Sequence, residues 1–277
     1  MLNDEHFKVV DYWERSSDVF DNVSIKGGVA ITMWNKAEQY DKIGTFILQE
    51  DLNAIKNRVW SIAKENFCNN VYSRDLYQLN QNFYTENPQL KNRQSAGHKY
   101  DVGTTIFTLF PEIFSETNPG DGYALIIGRE NNTRIAKWMR SDYLKLPDNF
   151  VSYKVFIPTA NGSGKFGEAL GNPIIGEPRH GHNTTFLSIG RFVTNKETEA
   201  CLKYIKTKFA RTMLGIRKVT QHNTRQAWEF VPNQDFTSNS DIDWSKSIED
   251  IDKQLYKKYG LTEHEIEFIE TNIQPME

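Results

Sequence analysis

The chain has 277 residues, of which 38% are hydrophobic and 25% charged, with a formal net charge of −3. That length can bury a core in one large domain or two ordinary ones, and the composition suits a globular protein somewhat more polar than average. Its longest apolar runs, such as YALIIG from Tyr123, are strand-sized and too short to cross a bilayer, and its two cysteines, Cys68 and Cys201, make neither a disulfide framework nor a metal knuckle.

The N-terminal MLNDEHFKVV has no basic region followed by an apolar stretch, so no secretory signal is expected. The cysteines are read as reduced thiols of a cytoplasmic protein. FKVVDY (Phe7 to Tyr12) and GGVAITMW (Gly27 to Trp34) read as strands of a sheet covered on both faces, with no crossover helix between them. Gly27 and Gly28 read as a tight turn, because no helix N-terminus follows to complete a phosphate loop. From Asp51 to about Glu65 the spacing predicts a helix with Leu52, Ile55, Val59 and Ile62 on one face. Strands are expected at YALIIG, at Tyr153 to Ile157, near Ile174 and over Thr184 to Phe192. RHGH, with His180 and His182, reads as a polar loop. This alternation of strands and single helices predicts an α+β domain.

Next comes an asymmetry in charge. Tyr204 to Trp228 contains no Asp or Glu but carries Lys206, Lys208, Arg211, Arg217, Lys218 and Arg225. From Asp235 onward there are eleven acidic residues against four lysines. A helix from about Lys196 to Leu214 places Cys201, Ile205, Phe209 and Met213 on one stripe, continued by Ile216. Lys203, Thr207, Arg211 and Lys218 fall roughly opposite. No acidic residue stands at i+3 or i+4 to neutralise that outer face, so it reads either as a solvated face or as a surface for a polyanion. In the acidic tail, Ile251, Leu255 and Tyr259 form a helical stripe, and Thr262 with Glu265 has capping-box spacing. The tail is expected to be helical and to pack back on the protein.

Catalytic signatures are missing. There is no His-Glu-x-x-His, no Cys-x-x-Cys and no Gly-x-Ser-x-Gly, and NGSGKF at Asn161 to Phe166 lacks the first glycine and the Ser or Thr of a phosphate loop.

Several stretches in order then carry a resemblance. The opening MLNDEHFKVVDYWERSSDVFDNVSIKGGVAITMW resembles the closing strands of the methyltransferase core in type II restriction-modification enzymes that methylate adenine. YKVFIPTANGSG, PIIGEP, YIKTKFAR, KVTQHNT, FVPNQDFT, SDIDW and IDKQLYKKYGLTEHEIEFIE resemble the target-recognition region and tail of the same family. The similarity covers nearly the whole chain and is densest from Tyr153 to Glu270. It implies a mixed α/β and α+β architecture: the end of a methyltransferase sheet over residues 1–45, an α+β target-recognition domain over 46–232, and a helical tail over 233–277.

Enzymes of this family bind S-adenosylmethionine at a glycine-rich loop and act on a flipped adenine with an (Asn/Asp/Ser)-Pro-Pro-(Tyr/Phe) motif. This chain has no Pro-Pro and begins after the point where both motifs should lie. No catalytic residue, metal or cofactor is therefore assigned to it, and the methyl donor is expected only of the full-length family. The expected partner is double-stranded DNA, together with a catalytic methyltransferase portion or chain. Lys203, Lys206, Lys208, Arg211, Arg217 and Lys218 suit phosphate contacts. Residues suited to reading base edges lie in three loops: Gln221, His222, Asn223 and Arg225; Arg179, His182 and Asn183; and Asn161, Ser163 and Lys165. The alternatives are an enzyme with an unrecognised site of its own and a truncated product without function.

Overall fold

The fold is known from a computed structural model that describes residues 1–13, 15–22, 28–47, 49–131, 133–160, 165–218 and 220–276. It is a mixed α+β fold. It divides into two units, Met1–Asn57 and Arg58–Glu277.

In the first unit, β1 (Phe7–Trp13) and β2 (Val29–Trp34) pair antiparallel from Phe7↔Trp34 to Trp13↔Val29, with a bulge between Val9 and Asp11. The strands stand where the apolar runs predict them, but they are not covered on both faces. Val10, Ile31 and Trp34 are 56%, 51% and 56% exposed. Among the described residues no third strand joins this sheet. α1 (Glu50–Ile62) contains the division between the units. Its Leu52, Ile55 and Val59 are buried as the stripe predicts, whereas Ile62 in the last turn is exposed.

The second unit continues with β3 (Gln78–Leu79), α2 (Gln81–Glu86), α3 (Ile106–Leu109), β4 (Tyr123–Glu130), β5 (Thr133–Arg140), β6 (Leu144–Lys145) and β7 (Tyr153–Pro158). β8 (Ile174–Gly176), β9 (His180–His182) and β10 (Phe186–Phe192) follow. Three small sheets result, in the orders β5-β4-β9, β10-β7-β8 and β3-β6. β4 and β5 form a hairpin, and β9 joins β4 in parallel, from Leu125↔His180 to Ile127↔His182. RHGH is thus a buried strand end and not the polar loop its composition suggests. Its histidines find partners inside the fold, which makes their burial tolerable. Ile127 of β4 packs with Phe156 of β7 and Phe186 of β10. An aromatic core of Tyr77, Phe83, Tyr84, Phe107 and Phe110 underlies the β4–β5 hairpin.

Four helices complete the unit: α4 (Asn195–Lys206), α5 (Lys208–Gly215), α6 (Ile248–Lys258) and α7 (Glu263–Asn272). The single helix expected over Lys196 to Leu214 is broken at Thr207, which adopts extended backbone (φ −58°, ψ 149°) and accepts a hydrogen bond from the Ala210 amide as the α5 N-cap. The apolar stripe survives the break, because Cys201, Ile205, Phe209 and Met213 are all fully buried. Asp252 of α6 supports the new N-terminus by accepting from the Lys208 and Phe209 amides at 2.9 and 2.8 Å. The Thr262–Glu265 capping box is formed in both directions, and Ile251, Leu255 and Tyr259 are buried. Tyr259 stacks on Phe209 with centroids 5.0 Å apart. Residues 233–277 share one compact unit with 58–232. Apolar packing of α6 and α7 on α5 explains why the tail does not stand apart. No helix among the described residues is long and apolar enough to cross a membrane.

Candidate nucleic-acid interface

The acid-free segment does not present the unpaired cationic face that helical spacing predicts. Lys203 donates from Nζ to the carbonyls of Trp244, Ser245 and Lys246 at 2.9, 3.3 and 2.8 Å, and so ties down the chain before α6. Lys208 pairs with Glu270 of α7 at 2.5 Å. Arg211 is only 3% exposed and donates to the carbonyls of Lys206 and Gln274. Burial pulls its guanidinium down to about 10. Lys218 is buried against Glu168 at 3.3 Å, and Arg217 pairs with Glu229. Lys206 is half-buried at the end of α4. The partners come from distant sequence, above all from the acidic tail. Buried cations of this kind serve the fold, because an uncompensated one would cost several kcal/mol.

Two of the three loops singled out for base reading, those of Asn183 and Asn223, meet at the end of β7. Asn223 donates from its amide to the Thr159 carbonyl at 2.8 Å and from Nδ2 to the Pro158 carbonyl at 2.9 Å. His222 forms an isolated bridge with Ala160. From the other side, the Thr159 amide donates to the Thr185 carbonyl at 2.9 Å, and Asn183 accepts from the Thr185 amide and hydroxyl at 3.0 and 2.5 Å. The Asn183 amide in turn donates to the Ile127 carbonyl of β4. Its side chain lies so close to Gly128 that a Cβ there would stand 2.4 Å from Nδ2, so this contact requires a glycine.

This network sorts the predicted readers into pins and probes. Asn183 and Asn223 are buried pins: Asn223 holds its loop to the end of β7, and Asn183 ties its own to β4 and to Thr185. Gln221 and His222 are exposed, as is Lys165 on the loop leaving β7. Asn161 and Ser163 lie outside the described residues. Arg225 is exposed but donates to the Cys68 carbonyl at 3.0 Å. Arg179, at φ 67°, reaches back to the carbonyls of Asp121 and Tyr123 and fixes the turn into β9.

Beside the pins lies a recess of about 510 Å³ lined by Arg129, Arg134, Pro158, Ala160, Asn172 and Phe186. Sequence reading passed over Arg129, Arg134 and Asn172. A usable signal was there: RENNTR is a turn flanked by arginines, and the hairpin register sets Arg129 directly opposite Arg134. Ending the strand at Gly128 hid the pair.

A hydrolytic centre is excluded at the His182–Ser188 pair. His182 Nε2 lies 2.9 Å from the Ser188 hydroxyl, and Nδ1 lies 2.9 Å from the Asn183 carbonyl. A neutral imidazole can satisfy both by donating from Nδ1 and accepting at Nε2. Burial favours that form, pulling the imidazole down to about 4. Tyr77 and Phe156 meet the ring edge-on at 5.0 and 5.2 Å, and both His182 and Ser188 are buried, which leaves a substrate no approach. His182 is therefore a core residue and not a DNA probe. No group of three or more His, Cys, Asp or Glu side chains among the described residues converges as a metal site.

No protein-family model matches this chain, and no curated protein matches it significantly.

Proposed function

We propose that this chain recognises a specific sequence in double-stranded DNA, as the target-recognition part of an adenine-specific restriction-modification methyltransferase. The observation that carries this reading is the meeting of two polar loops, those of Asn183 and Asn223, at the end of β7, flanked by the Arg129–Arg134 recess. Rigidly pinned loops with exposed amide and imidazole tips suit groove readout, because base discrimination needs donors and acceptors fixed in register. Gln221 and His222 are the probes, and basic side chains beside them set the register on phosphates.

Methyl transfer and S-adenosylmethionine binding belong, on the family resemblance, to a catalytic portion outside this chain. The exposed Val10, Ile31 and Trp34 on the β1–β2 sheet support such a partner, since apolar strand faces of this kind are ordinarily covered. The His182–Ser188 pair, sealed in the core, lends the rival enzymatic reading no support.

The direct test is fluorescence anisotropy of the purified chain with a labelled duplex at salt concentrations between about 50 and 200 mM. Affinity is expected to fall steeply and linearly on a log–log scale as counterions are reclaimed. Absence of binding at the lowest salt would sink the reading for this chain.

A further inference from the structure

The geometry points to the recess between Arg129 and Arg134 as a phosphodiester-binding site that grips one DNA strand beside the reading loops. This rests on the DNA reading above and assigns to the β4–β5 hairpin a task that its sequence alone does not reveal.

The two guanidinium-bearing residues are directly cross-strand partners near the hairpin tip. Both side chains line the recess, so an anion held there meets two positive charges. Arg134 is also prepared to receive one. Its NH2 donates to the Asn172 carbonyl at 2.7 Å, and its guanidinium lies 5.5 Å from the centre of the Phe186 ring. A carbonyl and a ring fix the plane of the fork while most of its N–H groups stay available for a bidentate acceptor. No carboxylate of a described residue forms an ion pair with Arg134. Arg93, Arg140 and Arg191, by contrast, each pair with a carboxylate. Partial burial and the nearby Arg129 both work against the charge of Arg134, a bias a bound phosphate would reverse.

The location gives the site its meaning. Pro158 and Ala160 line the recess, and the Pro158 carbonyl and Ala160 are the points where Asn223 and His222 attach. A phosphate held by the arginines would therefore lie next to the probes, where a positioning contact fixes the register of the bases being read. A phosphodiester offers paired oxygens to the fork, and a DNA strand carries one at every step.

The test compares the wild-type chain with Arg129→Gln and Arg134→Gln by anisotropy on a fixed duplex over a salt series. Each substitution is expected to weaken binding on the order of 10-fold. Each should also reduce the slope of log affinity against log salt by about one. The preferred sequence should not change, because a backbone contact carries none. Thermal melting checks that Arg129→Gln folds as the wild type does, which is expected of an exposed residue near the hairpin tip. Should Arg134→Gln fail to fold because it packs on Phe186, Arg129→Gln decides the matter alone. Variants that keep the wild-type affinity and slope would overturn the phosphate site and leave the DNA reading standing. A wild-type chain that binds no duplex at low salt would overturn both.

Discussion

Replacing Lys154 with alanine is expected to destabilise the second unit by about 4 kcal/mol, the largest effect of any single substitution considered for this protein. Lys154 is fully buried on β7, and its ammonium donates to the carbonyls of Asn149, Phe150 and Ser152 at 3.1, 3.0 and 3.0 Å. The Phe150 and Phe156 rings flank it at 5.9 and 6.0 Å. Truncation opens a cavity and leaves buried acceptors without a donor, and each such acceptor costs about 1–3 kcal/mol. Lys154→Met refills most of the space, so its loss should be smaller and should report the unsatisfied carbonyls alone. Chemical denaturation of both variants measures the difference. A loss below about 1 kcal/mol for alanine would mean that the turn before β7 can solvate its own carbonyls. Since β7 ends at the loops that carry Asn223 and His222, DNA binding should fall with stability in these variants.

The second large effect is a hidden pH dependence. His182 is lowered from 6.5 to about 4 by burial, so the folded chain resists a proton that the unfolded chain accepts. Its contribution is complete above pH 6.5 and is lost as pH falls toward 4. Integrated over that shift it amounts to about 3 kcal/mol. Asp252 runs the other way. Burial raises its carboxyl from 3.8 to about 6, against the two backbone amides that lower it. The folded chain then takes up a proton before the unfolded chain does, so stability is gained as pH falls from 6 to 3.8. That gain is also about 3 kcal/mol. Between pH 6 and 4 the two nearly cancel, and the wild-type melting temperature is expected to change little from these groups. Asp252→Asn should expose the loss due to His182, whereas His182→Asn should expose the opposite slope. Melting curves of the three chains at pH 4, 5 and 6 test this. Parallel profiles for all three would contradict it.

The sequence is legible where the controlling contacts are local. The stripe through Cys201, Ile205, Phe209 and Met213 finds the buried face of α4 and α5, and Thr262 with Glu265 marks the start of α7. Thr207 escapes because the apolar spacing continues across it. Its extended backbone depends on Asp252, a residue 45 positions further on. The same limit explains the cationic segment. Inspection of i+3 and i+4 positions finds no acid near Lys208, yet Glu270 reaches it from α7. His182 looked like a loop residue because its neighbours are polar. Only parallel pairing with β4 reveals it as core, since a three-residue strand leaves too short a pattern to read. Arg129 and Arg134 needed a hairpin register, and the Asn131 turn at φ 49° that sets it lies in a run of polar residues with no period of its own. Of the proposed site, the loops were legible and their convergence was not.

The central claim is that the tips pinned to β7 read bases. It is tested most directly by selecting the wild-type chain and Gln221→Ala on a pool of randomised duplexes and sequencing what each retains. The account predicts that the wild type enriches one short motif and that Gln221→Ala loses preference at a single position, at a cost of about 1–3 kcal/mol there, while the rest of the motif persists. Retention without any enriched motif, or an identical motif from both chains, would contradict it.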